Sequence, residues 1–505
     1  MVSRIACVGG GPGGLFFATL LKQADPSVEV TVFERNRPDD TFGFGVVFSD
    51  ATLAGIHAAD PVLRTALTEY GRHWDDIEVR LKGERIRCGG NGMAAITRRT
   101  LLQLLHRRAE EVGVEVRFSH EIPADPARLA DYDLIVAADG ANSRFRDRLA
   151  DELVPGVEVA TAKFIWFGTS YLFDGLTFVH EHGPHGTFAV HGYPISDGVS
   201  TFIVETDEES WRRAGLDAFD TSQPPGPSDE KTRRYLEKLF AEQIDGHELL
   251  VNNSRWGNFR TRRAHRWHSG NVVLLGDAAH TAHFSVGSGT KMAMEDAIAL
   301  AGSLLAHRDD LPAALEAYEA AARPSVEKIQ ASARPSLSWW EHFGRYHDAF
   351  GPTQFAFHFI SRSIGKERIA RRDPRFVERV VQDWRARHEG RAPLETPVRV
   401  GEREFAGRLL DAVHVQELPG ALWLAAPDGE AELPFVYEEL GRALAGTRPP
   451  DLVAVHGGTA LTRQLIAEQA RLVHGVPALI VENDMNDDRA ETLLLSGRTD
   501  LVGRA

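Results

Sequence analysis

Cysteine is almost missing: Cys7 and Cys88 are the only two in 505 residues. A pair so far apart gives neither a disulfide framework nor the clustered spacing of a metal site, so no metal is expected. Long apolar runs are missing too. None approaches the roughly 20 residues that a membrane span needs. Met-Val-Ser-Arg-Ile passes straight into the first apolar strand, leaving no room for a secretion signal. A cytoplasmic protein without a membrane partner is the expectation. Positive charge is in deficit, with a net −15, which makes nucleic acid a poor partner. What remains is ordinary for a globular chain, 43% hydrophobic and 26% charged. The length suits two or three domains.

The informative residues stand near the N-terminus. Arg4 to Val8 reads as a short buried strand, followed by Gly9-Gly10-Gly11-Pro12-Gly13-Gly14. Gly9, Gly11 and Gly14 have the G-x-G-x-x-G spacing, and Leu15 to Lys22 is apolar at helical period. Strand, glycine turn and helix together are the context of a dinucleotide fingerprint. Gly9 permits the turn, Gly11 lets a pyrophosphate approach the backbone, and Gly14 lets the helix pack on the strand. The helix N-terminus offers N–H groups to the phosphates. A second strand, Val28 to Phe33, ends at Glu34, 20 residues past Gly14, followed by Arg35. A ribose-binding carboxylate belongs there.

Two further turns follow apolar strands. Tyr132 to Ala138 ends in Asp139-Gly140, and Val272 to Leu275 ends in Gly276-Asp277. A helix from Leu101 to Val112 is opened by Arg98 and Arg99. After Asp277 comes His283-Phe284-Ser285-Val286-Gly287-Ser288-Gly289-Thr290, then a helical stretch from Lys291.

In this order and at these distances, the three turns resemble the FAD-dependent aromatic monooxygenases of the para-hydroxybenzoate hydroxylase type, over roughly residues 1–390. The resemblance implies that Asp139 lies near the flavin pyrophosphate and the NAD(P)H path, and that Asp277 contacts the ribityl chain. It implies that Arg98, with Arg99 as the alternative, anchors FAD. It places the flavin ring at the loop of Gly287, Gly289 and Thr290. Phe284-Ser285 and Lys291 depart from the common form of that loop.

The implied fold is α/β: a Rossmann-like FAD-binding domain with an inserted antiparallel substrate sheet, a helical segment and a small C-terminal α/β domain. The expected divisions are 1–160 and 256–390 for the FAD-binding domain, 161–255 for the sheet, and 395–505 for the tail. Short β-rich runs between 163 and 206 support the insertion. Helices are expected over Tyr235 to Ile244, after a break at Pro224–Pro227, and over Asp296 to Leu305, Leu311 to Gln330 and Arg368 to Arg387. No second dinucleotide fold is evident for the nicotinamide.

Phe44 to Asp50 and Lys163 to Ser170 resemble a subgroup acting on aryl-CoA thioesters such as salicylyl-CoA and 2-aminobenzoyl-CoA. Tryptophan and indole hydroxylases of the violacein type share the second segment and the His283-Phe284-Ser285 loop. The tail, from Thr396 to Arg408 and again from Asp451 to Val502, resembles parts of an old-yellow-enzyme barrel. About 110 residues are too few for such a barrel, which needs roughly 250. A shrunken remnant is one reading, and an unrelated small domain used for packing or dimerisation is the other.

The resemblance implies hydroxylation of an electron-rich ring by FAD, NAD(P)H and O₂, with an aryl-CoA thioester as the leading substrate. A free tryptophan, an indole or another aromatic intermediate is the alternative. A flavin oxidase, reductase or scaffold without hydroxylation is a second. His191 and Tyr193 share a strand face at period two, and His283 stands in the flavin loop. These three are the candidate catalytic residues. CoA phosphates need local cations in an acidic protein. Arg260, Arg262, Arg263, His265 and Arg266 form one cluster, and Lys366, Arg368, Arg371, Arg372, Arg375 and Arg379 another. Glu367, Asp373 and Glu378 make a solvated helical face the alternative for the second.

Overall fold

The structure, a computed structural model, describes residues 2–41, 43–219, 227–287, 289–416, 418 and 420–504. It is mixed α/β and forms two compact units, Met1–Ile77 with Asn91–Glu341, and Glu78–Gly90 with His342–Ala505.

The larger unit is built on a sheet of strand order His268–Ser269, Val272–Leu274, Leu134–Ala137, Arg4–Val8, Glu29–Phe33 and Glu115–Arg117. Every pairing is parallel except that of His268–Ser269. The central strands, Ile-Ala-Cys-Val and Leu-Ile-Val-Ala, are apolar at successive positions because helices cover both faces of a parallel sheet. Leu15 and Phe16 of the Pro12–Ala24 helix, Leu101 and Leu105 of Arg98–Glu111, and Leu300 of Gly289–Ala306 fill that core. The helix expected from Leu101 begins at Arg98, because the Thr97 hydroxyl accepts from Thr100 N at 3.0 Å and caps it there.

Register decides what these strands bring together. Val8 stands opposite both Phe33 and Ala137, and Ala137 opposite Leu274. Strands that end level deliver their following turns to one edge, the carboxyl edge where α/β sheets bind ligands.

Between the strands at 137 and 272 lies an antiparallel sheet. Pro155–Thr169, Ser200–Thr206, Gly186–Pro194 and Leu176–Gly183 follow one another in space, with Leu249–Leu250 and Gly257–Ala264 also on Pro155–Thr169. Period two separates its faces. Ile165, Phe167, Val190, Phe202 and Val204 pack with Leu236 and Phe240. The opposite face carries Trp166, His191, Tyr193, Ile203 and Glu205. The helix expected over Tyr235–Ile244 runs instead from Glu230 to Leu239, started by the Asp229 carboxylate at 3.0 Å from Thr232 N. Pro224 and Pro225 lie outside the described residues. Leu311–Ala349 is one helix of 39 residues despite Pro324 and Pro335, longer than the expected Leu311–Gln330.

The smaller unit has a five-stranded parallel sheet, in order Leu409–Leu410, Leu501–Arg504, Ala478–Glu482, Leu452–His456 and Ala421–Ala425. Among the described residues it is an open sheet. A cavity of ≈ 640 Å³ borders its carboxyl edge, lined in part by Trp423, His456 and Gly457. The single helix expected over Arg368–Arg387 is two, Lys366–Arg372 and Pro374–Arg387. Asp373 breaks it. One carboxylate oxygen caps the second helix at Phe376 N, 3.0 Å, and the other accepts from Gly89 N at 2.8 Å. Pro374 then sits at the first helical position, where its missing N–H costs nothing. Glu468 is the buried centre of a charge network. Tyr346 donates to it at 2.5 Å, Arg345 lies at 3.1 Å and His358 at 3.2 Å.

Candidate active site

The three turns stand side by side at the carboxyl edge of the parallel sheet. Gly9 has φ +116, and a Cβ there would lie 2.1 Å from the Ala138 carbonyl oxygen. A Cβ at Gly14 would meet the Gly9 oxygen at 2.3 Å, and one at Gly13 the Leu275 side chain at 2.5 Å. The strand, the helix and the neighbouring turns are therefore packed through missing side chains. Gly11 differs. Its backbone is extended, φ −75 and ψ 176, and a Cβ would meet nothing within 4 Å. It borders open space at the N-terminus of the Pro12–Ala24 helix, where Pro12 is at the first position and no side chain caps the N–H groups. That is the cradle a pyrophosphate fits. Glu34 lies alongside, with Gly10 N donating to one oxygen at 2.8 Å and Asn36 N to the other at 2.8 Å. Arg35 is exposed.

Asp139 accepts from Arg144 N at 2.8 Å through one oxygen. Its other oxygen is buried without a protein partner among the described residues. Such an atom calls for a ligand donor or water. Asp277 reaches solvent although protein surrounds it, as a side chain on the wall of a cleft does. Burial raises its carboxyl above the ordinary value, while His280 and Arg98 pull the other way. Burial lowers the Arg98 guanidinium, and Asp277 opposes that. Arg99 instead stands 3.5 Å from Asp39. Of the two arginines weighed, Arg98 is thus the one brought toward Asp277.

Two positions escaped sequence reasoning here. Arg146 is 5% exposed, and its Nη1 donates to Ala141 O at 3.1 Å and Ala278 O at 3.2 Å. One buried guanidinium therefore clips the Asp139 turn to the Asp277 turn. Asp296 accepts from Gly276 N at 3.0 Å and lies 2.8 Å from His280 Nε2, so the Gly289–Ala306 helix holds the same turn from behind. The loop after it gives Gly287 a φ of +60, and Gly289 and Thr290 open the helix. Ser288 lies outside the described residues.

An aromatic wall stands on the inner face of the inserted sheet. Tyr193 and Ile203 are buried there, with Phe44, Trp74, Trp166 and Phe284 partly buried against them. Trp74 stacks on Tyr193 at 6.0 Å. Gly168 lets Phe44 lie on the sheet, since a Cβ there would be 2.7 Å from that ring. Burial pushes the Tyr193 phenol far above its ordinary value, so it is a hydrogen-bond donor and not a base. His191 and His283 are both buried and stand on opposite oxygens of Glu205, at 2.7 and 3.2 Å. The structure brings these two candidates together, with Phe284 between them and Trp166.

A level-ended parallel sheet with a glycine cradle, joined to an antiparallel sheet with an aromatic inner face, defines a dinucleotide-binding protein. The sequence matches the FAD binding domain family over residues 3–333. It is 60% identical to salicyloyl-CoA 5-hydroxylase of Streptomyces, covering 99% of both chains. It is 39% identical to 3-hydroxy-4-methyl-anthranilyl-[aryl-carrier protein] 5-monooxygenase of Streptosporangium sibiricum, over 67% of this chain and 89% of that one. In fold it is similar to the tetrameric form of 2-methyl-3-hydroxypyridine-5-carboxylic acid oxygenase, with a TM-score of 0.53 at 20% identity over 72% of this chain and 98% of that one. It is also similar to p-nitrophenol 4-monooxygenase from Pseudomonas putida, with a TM-score of 0.56 at 19% identity over 76% and 97%. The chain belongs to the FAD binding domain family and is an FAD-dependent aromatic monooxygenase. Among the described residues no helix is long and apolar enough to cross a membrane.

Proposed function

We propose that this enzyme hydroxylates the ring of an aryl-CoA thioester, salicyloyl-CoA being the leading substrate, in the cytoplasm. The observation that carries the reading is the match to salicyloyl-CoA 5-hydroxylase over 99% of both chains, C-terminal unit included. The match to the carrier-protein-dependent relative covers only 67% of this chain.

Gly11 and Pro12 would border the FAD pyrophosphate, on a turn that Gly9, Gly13 and Gly14 allow to pack, with Glu34 and Arg35 beside the ribose. Arg98 and Asp277 hold the ribityl side, and Gly287, Gly289 and Thr290 the flavin ring. Asp139 faces the nicotinamide path. When bound, FAD with NAD(P)H and O₂ supplies the oxygen atom that enters the ring. The protein's own work is to orient the ring and keep water out. Phe284, Trp74 and Trp166 exclude water around it. The Tyr193 phenol, kept un-ionised by burial, donates to a ring substituent. The salicyloyl hydroxyl activates the carbon para to it, so a protein that presents that carbon to the flavin directs hydroxylation there.

The thioester brings phosphates to a chain of net charge −15. Arg260, Arg262 and Arg266 suit them best. Arg262 is lowered by burial and by the nearby Arg146 and Arg260, which marks a local excess of positive charge. In the second cluster Lys366 pairs with Glu491, and Arg379 stands 3.4 Å from Glu84. The test compares ¹⁸O incorporation from ¹⁸O₂ with salicyloyl-CoA, 2-aminobenzoyl-CoA, free salicylate, tryptophan and indole. Label in a thioester product supports the reading. Label only in a free acid or indole overturns it in favour of the violacein-type alternative. NAD(P)H consumption yielding peroxide alone, with every ring, makes the protein an oxidase. Neutralising Arg260 or Arg266 singly is expected to raise KM for the thioester about five- to thirtyfold, from ~1–2 kcal/mol per partly exposed phosphate contact, and to leave the free acid unchanged.

A further inference from the structure

The inner face of the inserted sheet holds a buried charge that the site above does not use. Glu205 is 1% exposed. Strand register explains how a carboxylate is accommodated. One row across the sheet runs Phe164, Glu205, Ala189, His180, and the next runs Trp166, Ile203, His191, Phe178. The small Ala189 beside Glu205 leaves room for its side chain to lean diagonally toward His191, within the reach of such neighbours. His191 Nε2 lies 2.7 Å from one carboxylate oxygen and His283 Nε2 3.2 Å from the other. The string continues outward: His283 Nδ1 is 2.7 Å from Ser285 Oγ, itself 2.7 Å from Ser336 Oγ on the Leu311–Ala349 helix.

A carboxylate this deep costs several kcal/mol unless it is paired. Burial alone would raise its pKa, yet His283 and His191 hold it below the ordinary carboxylate range. Such a charge needs a partner at each oxygen, and each has one, His191 at the first and His283 at the second. The two imidazoles sit on different segments. His191 belongs to the sheet that carries Tyr193. His283 begins the loop that carries Phe284, whose ring is 4.3 Å from that of His283, 5.5 Å from His191 and 5.1 Å from Phe164.

We propose that Glu205 is a positioning residue for ring hydroxylation: paired with His191 and His283, its carboxylate ties the loop bearing Phe284 to the sheet bearing Tyr193, fixing the wall against which the substrate ring lies. The proposal rests on the hydroxylase reading above. Glu205 acts only through the two imidazoles. The titratable groups facing it are His191 from the neighbouring strand and His283 from the loop, with His180 beyond Ala189 in the same row. Ser336 and Trp340 from the helix, Phe164 from the other neighbouring strand and Phe259 beside His283 carry no charge.

The test uses the FAD-loaded enzyme and the variants Glu205→Gln, Glu205→Asp and His283→Gln, with two readouts. The first is the pH profile of kcat/KM together with the fraction of NAD(P)H converted to hydroxylated product. A carboxylate raises the pKa of an imidazole it touches, so its removal lets the imidazolium lose its proton earlier. In Glu205→Gln the alkaline limb is expected at least one pH unit lower, and the product fraction about tenfold down. Glu205→Asp, which keeps the charge, recovers most of both. The second readout needs no turnover. The Trp340 ring is 4.3 Å from that of His191, close enough for an imidazolium to quench its emission. The pH titration of emission lost in Trp340→Phe is expected to move at least one unit lower in Glu205→Gln. A Glu205→Gln enzyme with wild-type limb, product fraction and emission titration overturns the proposal. Where Glu205→Gln fails to hold FAD, His283→Gln leaves the carboxylate one imidazole, and full product yield in it overturns the proposal instead. A wild type that hydroxylates nothing sinks the hydroxylase reading, and the emission titration alone then decides whether Glu205 is coupled to His191.

Discussion

Gly11→Val separates holding the fold from holding the phosphate. The Gly11 backbone is extended, a conformation valine favours, and its Cβ would point into space empty to 4 Å. The apo-protein is therefore expected to melt within a degree or two of wild type. The cofactor meets a different surface. Two or three helix N-terminal N–H groups donating to phosphate are each worth about 1.5–3 kcal/mol. A branched side chain over them removes at least two, a loss of about 4 kcal/mol or a thousandfold in Kd. Flavin fluorescence quenching on titration of apo-protein with FAD reads this directly. Gly14→Ala is the control. Its Cβ would stand 2.3 Å from the Gly9 oxygen, so it is expected to lower apo-protein stability by about 1–3 kcal/mol. If Gly11→Val binds FAD with unchanged affinity, the pyrophosphate does not lie over Gly11 and the cradle is misassigned. If its apo-form melts as low as Gly14→Ala, the space over Gly11 is not open.

Arg146→Met leaves the Ala141 and Ala278 carbonyls without their shared donor; a stability loss of about 3–5 kcal/mol and faster FAD release are expected, read by thermal melts and dilution-induced flavin fluorescence. Cys7 is fully buried, with its thiol pushed up to about 12, so the native protein at pH 8 is expected to show no iodoacetamide adduct at Cys7 by mass spectrometry, and labelling only after unfolding. In the smaller unit Glu468 is held well below the ordinary carboxylate range against burial, by His358, Arg345 and Arg498, and burial lowers His358 to about 3. Both folded pKa values lie below their unfolded ones, so the stability each contributes is complete above the unfolded value and is lost as pH falls. For His358 the loss spans about 6.5 to 3, and for Glu468 it continues below about 4.5. Glu468→Gln is expected to cost about 3–5 kcal/mol at pH 7, and the gap to wild type, followed by denaturant melts, should hold down to about pH 4.5 and narrow below it, since the His358 loss is common to both proteins.

The glycine turn and the two strand-end aspartates were legible because each is local: an apolar strand, then residues that only a turn or a helix start favours. Their meeting was not, since the levelling of Val8, Ala137 and Leu274 is a property of register between distant strands. Glu205 was invisible for a related reason. In Ser-Thr-Phe-Ile-Val-Glu-Thr an acid at an alternate position reads as a solvent-facing residue, and its burial depends on His191 and on His283, far along the chain. Arg146 hid likewise in Arg-Phe-Arg-Asp-Arg, which has the composition of an exposed helix. The break at Asp373-Pro374, by contrast, was written plainly, as a capping aspartate followed by a helix-opening proline. A run of arginines on either side at helical spacing obscured it. The tail's parallel β/α units were readable from their apolar strands, while their closure or openness was not.

The level strand ends have a consequence for the newborn chain. Leu134–Ala137 is flanked by Arg4–Val8, made early, and by Val272–Leu274, made roughly 135 residues later, a delay of roughly 7–30 s at about 5–20 residues per second on the ribosome. Throughout that interval the flank of Leu134–Ala137 awaiting its late partner is an apolar strand edge with unmet backbone groups, the kind of edge that recruits foreign strands. The nucleotide cannot be gripped from both sides until residue 277 has emerged, so flavin capture is a late event in this protein's biogenesis.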